Sequence, residues 1–163
     1  MASPALSTKN LSDFDRSIEL RPAEPADADR GLLDVLEQLS PSGTGGVTAD
    51  RARTVIAEMV AGETQFPWTA LHAGRVVGTA MLIVERKLIH GGSRAGRIED
   101  VVVDRRYRRR GIGRMLIERL CLIAAEIGCY KVVLCCDLHN VGFYEQCGFR
   151  EHDAGMRIDV GPP

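Results

Sequence analysis

Residues 101–114, VVVDRRYRRRGIGR, decide the fold of this 163-residue chain. Val101 to Val103 form a β-branched run of the kind found in a strand that is covered on both faces. After the basic turn, apolar residues recur at helical spacing until Gly128: Met115, Leu116, Leu120, Ala124 and Ile127. Lys131 to Cys136 then reads as a second, short strand. A single helix between two such strands predicts a right-handed parallel βαβ unit.

Hydrophobic patterning around this unit predicts one α/β domain at residues 17–163, preceded by a flexible N-terminal segment at residues 1–16. Ala73-Gly74-Arg75 separates two apolar, β-branched runs and indicates a hairpin, so we expect a mixed, mostly antiparallel sheet flanked by helices. Strands are predicted at residues 17–20, 66–72, 76–84, 97–104, 131–136 and 156–160. Helices are predicted at residues 27–39, 49–59, 115–127 and 139–147.

The composition of the chain excludes several classes of protein. With 21 basic and 22 acidic residues the net charge is −1, so we expect no general attraction to nucleic acid or to a membrane surface. No apolar stretch approaches the roughly 20 residues that span a bilayer, and residues 1–16 lack a secretory apolar run, which predicts a soluble, cytoplasmic protein. The five cysteines show no metal-site spacing, so we expect reduced thiols and no metal.

The basic turn and its glycines have the arrangement of an anion site. Unpaired amides at a helix N-terminus point toward a ligand, and the helix dipole adds about half a positive charge there. Gly111 and Gly113 let phosphate oxygens approach the backbone. Four arginines can add charge-assisted hydrogen bonds: Arg108, Arg109, Arg110 and Arg114. The pattern predicts a pyrophosphate site.

Other interpretations of the arginine-rich turn require different spacings. A P-loop needs GxxxxGK[ST], and a dinucleotide fingerprint needs GxGxxG near the start of a βαβ unit, and neither is present. A solvated or nuclear-targeting basic run remains an alternative, because clustered arginines alone carry no specificity for phosphate. The strand before the arginines and the helix after them favour the anion site.

Arg108-x-x-Gly111-x-Gly113 resembles the (Gln/Arg)-x-x-Gly-x-(Gly/Ala) signature of the GNAT acetyltransferases. This resemblance implies the GNAT acyl-CoA N-acyltransferase fold, with acetyl-CoA as co-substrate. Four blocks resemble, more narrowly, the glucosamine 6-phosphate N-acetyltransferases: residues 85–90, 98–103, 129–131 and 140–145. They imply acetyl transfer to D-glucosamine 6-phosphate, which gives N-acetyl-D-glucosamine 6-phosphate on the route to UDP-N-acetylglucosamine.

The resemblance implies roles for residues around the acetyl group. The backbone amides of Val102 and Val103 would polarise the thioester carbonyl if a bulge interrupts their pairing. Tyr144 would assist the departing thiolate, mainly by a hydrogen bond, since full proton transfer from a phenol to a thiolate is uphill by roughly 2 kcal/mol. Its alternative is a ring that only packs on a short helix. The other predicted cofactor contacts are Val101, Arg108, Arg109, Arg110, Gly111, Ile112, Gly113, Arg114, Asn140 and Phe143.

The acceptor amine would be bound by Glu99, Asp100 and the carbonyl of Val101, as the resemblance implies. Neighbouring strand residues point to opposite faces, so both acids can face one substrate only if the strand is bulged. From the residues alone, ordinary strand-end acids are the alternative. The other predicted substrate contacts are Ser40, Lys87, Leu88, Ile89, His90, Tyr130, Lys131 and Arg157. Among them, Lys87, His90 and the Tyr130-Lys131 pair resemble the sugar-phosphate contacts of the family, and Arg157 is a further candidate phosphate ligand.

The assembly and location of the protein follow from the same resemblance. In this family Tyr130-Lys131 is supplied across a dimer interface, which implies a homodimer with a shared active site. A cytoplasmic enzyme is expected, with peripheral attachment to the cytosolic face of the endoplasmic reticulum as an alternative. Two other functions stay open: a GNAT enzyme that acts on another amine, in a protein or an aminoglycoside, and a non-catalytic module that binds acetyl-CoA as a sensor.

Overall fold

The computed structural model describes residues 17–39 and 44–161. Five strands form one sheet: β1 (Ile18–Pro22), β2 (Gln65–His72), β3 (Arg75–Arg86), β4 (Arg94–Val103) and β5 (Cys129–Val133). The α-helices are α1 (Leu32–Leu36), α2 (Ala49–Ala61), α3 (Ile112–Glu126) and α4 (Val141–Gln146). The predicted segment 1–16 and Ser40 lie outside the described residues, so the predicted domain boundary stays a prediction.

The strand order is β1-β2-β3-β4-β5, antiparallel between the first four strands and parallel between β4 and β5. The prediction of a mixed, mostly antiparallel sheet is therefore confirmed, as is the crossover helix α3 between the two parallel strands. The β2–β3 hairpin turns at Ala73 (φ 48°) and Gly74 (φ 76°). Positive φ at both central residues is the two-residue turn that matches strand twist.

Helices cover both faces of the sheet. Residues of α3 pack on one face, where Leu82 of β3 and Ile98 of β4 are almost fully buried. The buried residues that α3 contributes are Ile112, Leu116, Ile117, Leu120, Ile123 and Ala124. Leu32, Val35 and Ile56, from α1 and α2, pack with Val102 on the other face. This double coverage explains why the central strands are continuously apolar.

A bulge interrupts β4 where the predicted site begins. Thr79 pairs with Val102 and Met81 pairs with Glu99, so β4 has one more residue than β3 between these two pairs. Asp100 lies inside it with φ 53°, a left-handed value that is uncommon outside glycine. The extra residue breaks the alternation of side chains along the strand.

The parallel strands β4 and β5 separate after a short region of pairing. Their paired residues are Arg94 with Cys129, Gly96 with Val132, and Arg97 with Val133. Within the described residues, positions 98–103 of β4 therefore have no strand partner on this edge. The gap between the two strands leaves backbone N–H and C=O groups of β4 available to a ligand.

Four of the predicted elements differ clearly from the structure. The strand predicted at residues 131–136 is observed at Cys129–Val133. The helix predicted at residues 27–39 is divided by Gly31, whose φ of 96° breaks it into a 3₁₀ turn, Pro25–Asp29, and the short α1. The last helix begins as a 3₁₀ turn, Leu138–Asn140. The closing strand predicted at residues 156–160 is wrong, because residues 150–160 form no helix or strand. Its apolar residues are 83 to 97 % exposed: Met156, Ile158 and Val160. They alternate as in a strand, but nothing in the described chain pairs with them.

Candidate functional site

A cleft of about 640 Å³ opens where β4 leaves β5, and the N-terminus of α3 and the start of α4 form its walls. Most of the predicted cofactor contacts line it: Val101, Val102, Val103, Arg108, Arg109, Gly111, Ile112, Gly113, Arg114, Asn140, Phe143 and Tyr144. Residues separated by more than 40 positions in the sequence thus meet in one cavity. Arg110 is the predicted cofactor residue that is not part of the lining, and its guanidinium lies 5.6 Å from the ring centroid of Tyr107.

The N-terminus of α3 faces this cleft without a capping side chain. Gly111 is the N-cap residue, with φ 83°, and no side chain accepts a hydrogen bond from the first turn. The amide of Met115 donates to the carbonyl of Gly111 at 2.9 Å, so the amides that precede it lie before the first helical hydrogen bond. Such a helix end binds an anion well, because free N–H groups and the helix dipole act together.

Gly113 is also needed for packing between α3 and α4. A Cβ atom at this position would lie 3.2 Å from the ring of Phe143 and 3.6 Å from Val103. The absence of a side chain therefore lets the two helices and β4 approach each other beside the cleft.

Asp104 holds the turn between β4 and α3. Its carboxylate is 2 % exposed and accepts hydrogen bonds from the Arg106 amide (2.9 Å) and guanidinium (3.1 and 2.7 Å). These bonds, led by the guanidinium, lower the pKa of Asp104 to about 2. The amide of Arg105 donates to Gln38 Oε1 at 2.9 Å, which joins the turn to the chain after α1. The start of the basic turn is therefore anchored both by Asp104 and by Gln38.

The arginines of the turn differ in what they already bind. Arg108 Nε donates to the Val103 carbonyl at 3.0 Å, so its side chain lies back along β4. Arg114 Nε donates to Glu118 at 2.6 Å, one helical turn away. Arg109 lines the cleft and has a left-handed φ of 60°. The predicted anion site is therefore centred on backbone amides rather than on guanidinium groups.

Tyr144 lies on α4 between this cleft and a second cavity of about 460 Å³. Its ring meets Phe143 edge-on, at 4.9 Å between centroids, and Phe149 at 6.1 Å. Burial raises the pKa of Tyr144 to about 12, with smaller contributions from the thiols of Cys136 and Cys147. The phenol therefore stays protonated over the physiological range and is available as a hydrogen-bond donor.

Glu99 and Asp100 flank the start of the bulge. Because Asp100 adopts φ 53°, the rule that neighbouring strand residues face opposite ways does not hold here. Neighbouring protein atoms displace water that would stabilise the charged carboxylate, and this raises the pKa of Asp100, although the residue is still exposed on one side. Glu99 Oε1 lies 3.9 Å from Arg97 Nε. Neither acid lines the cofactor cleft of this chain.

The predicted phosphate contacts do not meet in one cavity of the single chain. Lys87 is ion-paired with Glu85. The His90 ring lies 4.6 Å from the ring of Tyr130, and Lys131 Nζ lies 5.6 Å from the same ring. Two residues of the same block are strongly exposed: Leu88 and Ile89. Arg157 is exposed and donates to Asp159 at 2.7 Å, within the irregular C-terminal segment.

Comparison with known proteins identifies the family of this fold and cleft. The profile of the Acetyltransferase (GNAT) family matches residues 32–149. The chain belongs to the GNAT acetyltransferase family. Glucosamine 6-phosphate N-acetyltransferase 1 of Oryza sativa is 41% identical over 140 residues, which are 85% of each chain. The Trypanosoma brucei enzyme of the same name is 48% identical over 87 residues, 53% of this chain and 59% of the relative.

Solved structures agree with this assignment. The glucosamine-6-phosphate N-acetyltransferase of Arabidopsis thaliana superposes on this GNAT chain with a TM-score of 0.83 at 31% identity, over 88% of this chain and 99% of the other. An acetyltransferase of Trypanosoma brucei gives a TM-score of 0.79 at 37% identity, over 88% and 99% of the two chains. An aminoglycoside acetyltransferase from a soil metagenome, at 16% identity and a TM-score of 0.75, shares the fold alone.

The structure adds residues of this GNAT cleft that the sequence pattern did not single out: Gln38, Leu39, Tyr107, Asp137, His139, Gln146 and Cys147. Of these residues, Tyr107 could have been predicted from the sequence, because it lies within the basic turn. No local sequence pattern marks Gln38, because its position beside Arg105 depends on how α1 packs on the sheet. Within residues 17–39 and 44–161, no helix could cross a membrane and no three potential metal ligands come together. Predictions about location and metal independence stay predictions.

Proposed function

We propose that this chain transfers the acetyl group of acetyl-CoA to the amine of D-glucosamine 6-phosphate, with N-acetyl-D-glucosamine 6-phosphate and CoA as products. The observation that carries the proposal is the conformation of β4, which is bulged at Asp100 and, within the described chain, unpaired on its β5 edge beyond Arg97. Glu99 and Asp100 therefore lie directly before residues 101–103 of β4, which line the cofactor cleft. The rice relative that bears the name of this activity is 41% identical over 85% of the chain.

The cleft fits acetyl-CoA at two points. The uncapped amides at Ile112 and Gly113 would hold the pyrophosphate, with Arg109 beside them. At residues 101–103, the edge of β4 that faces away from β3 has no strand partner in the described chain and can pair with the amide-containing arm of the cofactor as a neighbouring strand would. The bound co-substrate supplies the acetyl thioester.

Three groups of this chain act on the reacting atoms. The backbone amide of Val103 polarises the thioester carbonyl, because negative charge develops on that oxygen during attack by an amine. The pairing of Val102 with Thr79 turns the amide of Val102 toward β3 instead. Tyr144 donates a hydrogen bond to the departing sulfur from the far side of the cleft. Glu99 and Asp100 accept hydrogen bonds from the acceptor amine, and one of the two carboxylates takes the proton that the ammonium form must lose to become nucleophilic. The raised pKa of Asp100 strengthens it as a proton acceptor relative to an ordinary aspartate.

We also propose that the site is shared between two copies of the chain. Tyr130 and Lys131 lie on the edge strand β5, which has no outer strand partner within the described residues. The His90–Tyr130 ring pair is bordered by the exposed Leu88 and Ile89. A second copy would cover these apolar side chains. It would also supply its Tyr130-Lys131 pair to the phosphate of the acceptor, which the residues of one chain surround only in part.

Sedimentation equilibrium is expected to give twice the mass of one chain. The variant Leu88→Glu should weaken the dimer and lower activity at low protein concentration, because it places a charge among the exposed apolar side chains that the second copy would cover. Leu88→Met, which keeps an apolar side chain at the same position, is the matched control and should remain dimeric. A wild-type protein that is monomeric at full activity would contradict the shared site.

The choice of acceptor is tested by thiol release from acetyl-CoA. We expect release with glucosamine 6-phosphate at a kcat/KM at least 100-fold above that with glucosamine, since a phosphate that binds cations contributes several kcal/mol. A lysine peptide should give no release above background. Release with the peptide but not with the sugar phosphate would establish another acceptor, and cofactor binding with no release on any acceptor would establish a sensor module.

A further inference from the structure

Four charged side chains form a row on the sheet outside the cofactor cleft. Lys87 Nζ pairs with Glu85 Oε2, and Glu85 Oε1 lies 3.2 Å from Arg97 Nη2. Arg97 Nε in turn lies 3.9 Å from Glu99 Oε1. Charges alternate along this row, from the predicted phosphate ligand Lys87 to the predicted amine ligand Glu99. Arg97 and Glu85 are its two inner members.

The register of β3 and β4 explains why these side chains share a face. Arg97 lies opposite Ile83 and Glu99 opposite Met81, while Glu85 follows Ile83 by two positions. Residues at this spacing point to the same side of a sheet. The intervening residues on the two strands face the other way and are buried against α3: Leu82, Val84 and Ile98. The row therefore lies on the face opposite α3.

Stability does not account for this row. The four side chains are 34 to 46 % exposed. Exposed ion pairs contribute about 0 to 1 kcal/mol each, since water screens them and side-chain entropy opposes them. Glu85 nevertheless has a lowered pKa, first through its hydrogen bond with Lys87 and to a smaller extent through Arg97. The Glu85 carboxylate is therefore ionised wherever the enzyme would work.

The carboxylates of this row would repel the doubly charged phosphate of the substrate. Glu85, Glu99 and Asp100 place three acidic groups near an acceptor that carries a phosphate at one end and an amine at the other. Glu99 is useful at the amine end, but its charge and that of Glu85 repel the phosphate. Arg97 contacts both carboxylates and can offset both charges.

We infer that Arg97 is a positioning residue for the acceptor. It fixes the positions of Glu99 and Glu85 on one face of the sheet and reduces the repulsion between these carboxylates and the phosphate. Through Glu85, it also sets where Lys87 lies. The inference rests on the proposed function, because it requires an acceptor that carries a phosphate. Arg97 acts through the two carboxylates and does not itself touch the reacting atoms.

Kinetics of three single variants test this role. Arg97→Met keeps the length of the side chain without its charge and should raise the KM for glucosamine 6-phosphate about tenfold, with kcat within threefold and the KM for acetyl-CoA within twofold. Arg97→Lys should recover most of the loss. Arg86→Met removes an arginine that points to the opposite face and should match the wild type. The thermal midpoint should be the same in all three.

A double variant separates positioning from direct contact. If Arg97 acts through the carboxylates, Arg97→Met should cost less in the Glu85→Gln background than in the wild type, because one of the charges to be offset is gone. A full tenfold loss in that background would mean that Arg97 binds the phosphate itself and would overturn the inference. So would a KM change below twofold in Arg97→Met. A wild-type enzyme inactive on glucosamine 6-phosphate would overturn the proposed function as well.

Discussion

Replacement of Tyr144 by phenylalanine is expected to lower kcat about 100-fold while the KM for acetyl-CoA changes less than threefold. The substitution keeps the ring and its edge-on contacts with Phe143 and Phe149, so the wall of the cleft is preserved. It removes the hydroxyl that would face the departing sulfur. A group that acts only when charge develops on the leaving atom lowers kcat rather than binding.

The expected size of this effect reflects a hydrogen bond more than a complete proton transfer. Burial raises the pKa of Tyr144 to about 12, further above that of a thiol than an ordinary tyrosine. The phenol therefore gives up its proton reluctantly, yet it remains a good hydrogen-bond donor to a thiolate in a partly buried site. The rate should accordingly show no dependence on a group titrating as a tyrosine below pH 10.

Tyr107→Phe is the comparison for this experiment. Tyr107 lines the same cleft, and its hydroxyl lies 3.3 Å from His72 Nδ1. Loss of that hydroxyl should affect the KM for acetyl-CoA more than kcat. A kcat that stays within threefold of the wild type in Tyr144→Phe would remove Tyr144 from the mechanism and leave it as a packing residue.

Replacement of Gly111 by alanine is expected to lower the affinity for acetyl-CoA at least tenfold. Gly111 is the N-cap of α3 at φ 83°, where an L-residue with a side chain is strained by about 1 to 2 kcal/mol. An alanine that relaxes out of this conformation turns the amides of Ile112 and Gly113 away from the pyrophosphate. Isothermal titration with CoA measures the change directly, without an acceptor.

Gly128→Ala provides a matched control at the other end of the same helix. Gly128 has nearly the same φ, 85°, and nothing lies within 4 Å of a Cβ atom built on it. Both variants should therefore lose similar stability in urea unfolding, whereas affinity for CoA should fall only in Gly111→Ala. Equal affinities in the two variants would show that the conformation of Gly111 does not shape the anion site.

Local sequence signals predicted the parts of the fold that depend on neighbours along the chain. The run at Val101 to Val103 and the amphipathic pattern of α3 were sufficient for the strand and the crossover helix. The glycines of the turn predict the anion site, which stays a prediction. The Ala73-Gly74-Arg75 turn likewise predicted the β2–β3 hairpin. These signals are strong because backbone conformation and the side-chain period are set within a few residues.

Errors arose where a distant partner decides the conformation. The alternating apolar residues at 156–160 read as a strand, but the described chain has no strand beside them. Gly31 divides the predicted first helix, and its left-handed conformation is not marked by the hydrophobic pattern around it. Strand pairing requires a free edge at the right place, which no local pattern specifies.

The sequence by itself determined that a helix N-terminus rich in glycine and arginine follows a central strand, and its blocks of residues indicated an acetyltransferase of the GNAT family. Tertiary structure alone decided three things: the bulge at Asp100, the separation of β4 from β5, and the row from Lys87 to Glu99. Each depends on the register between strands that are distant in the sequence. Register is set by the packing of whole faces against the helices, so it emerges only when the sheet is assembled.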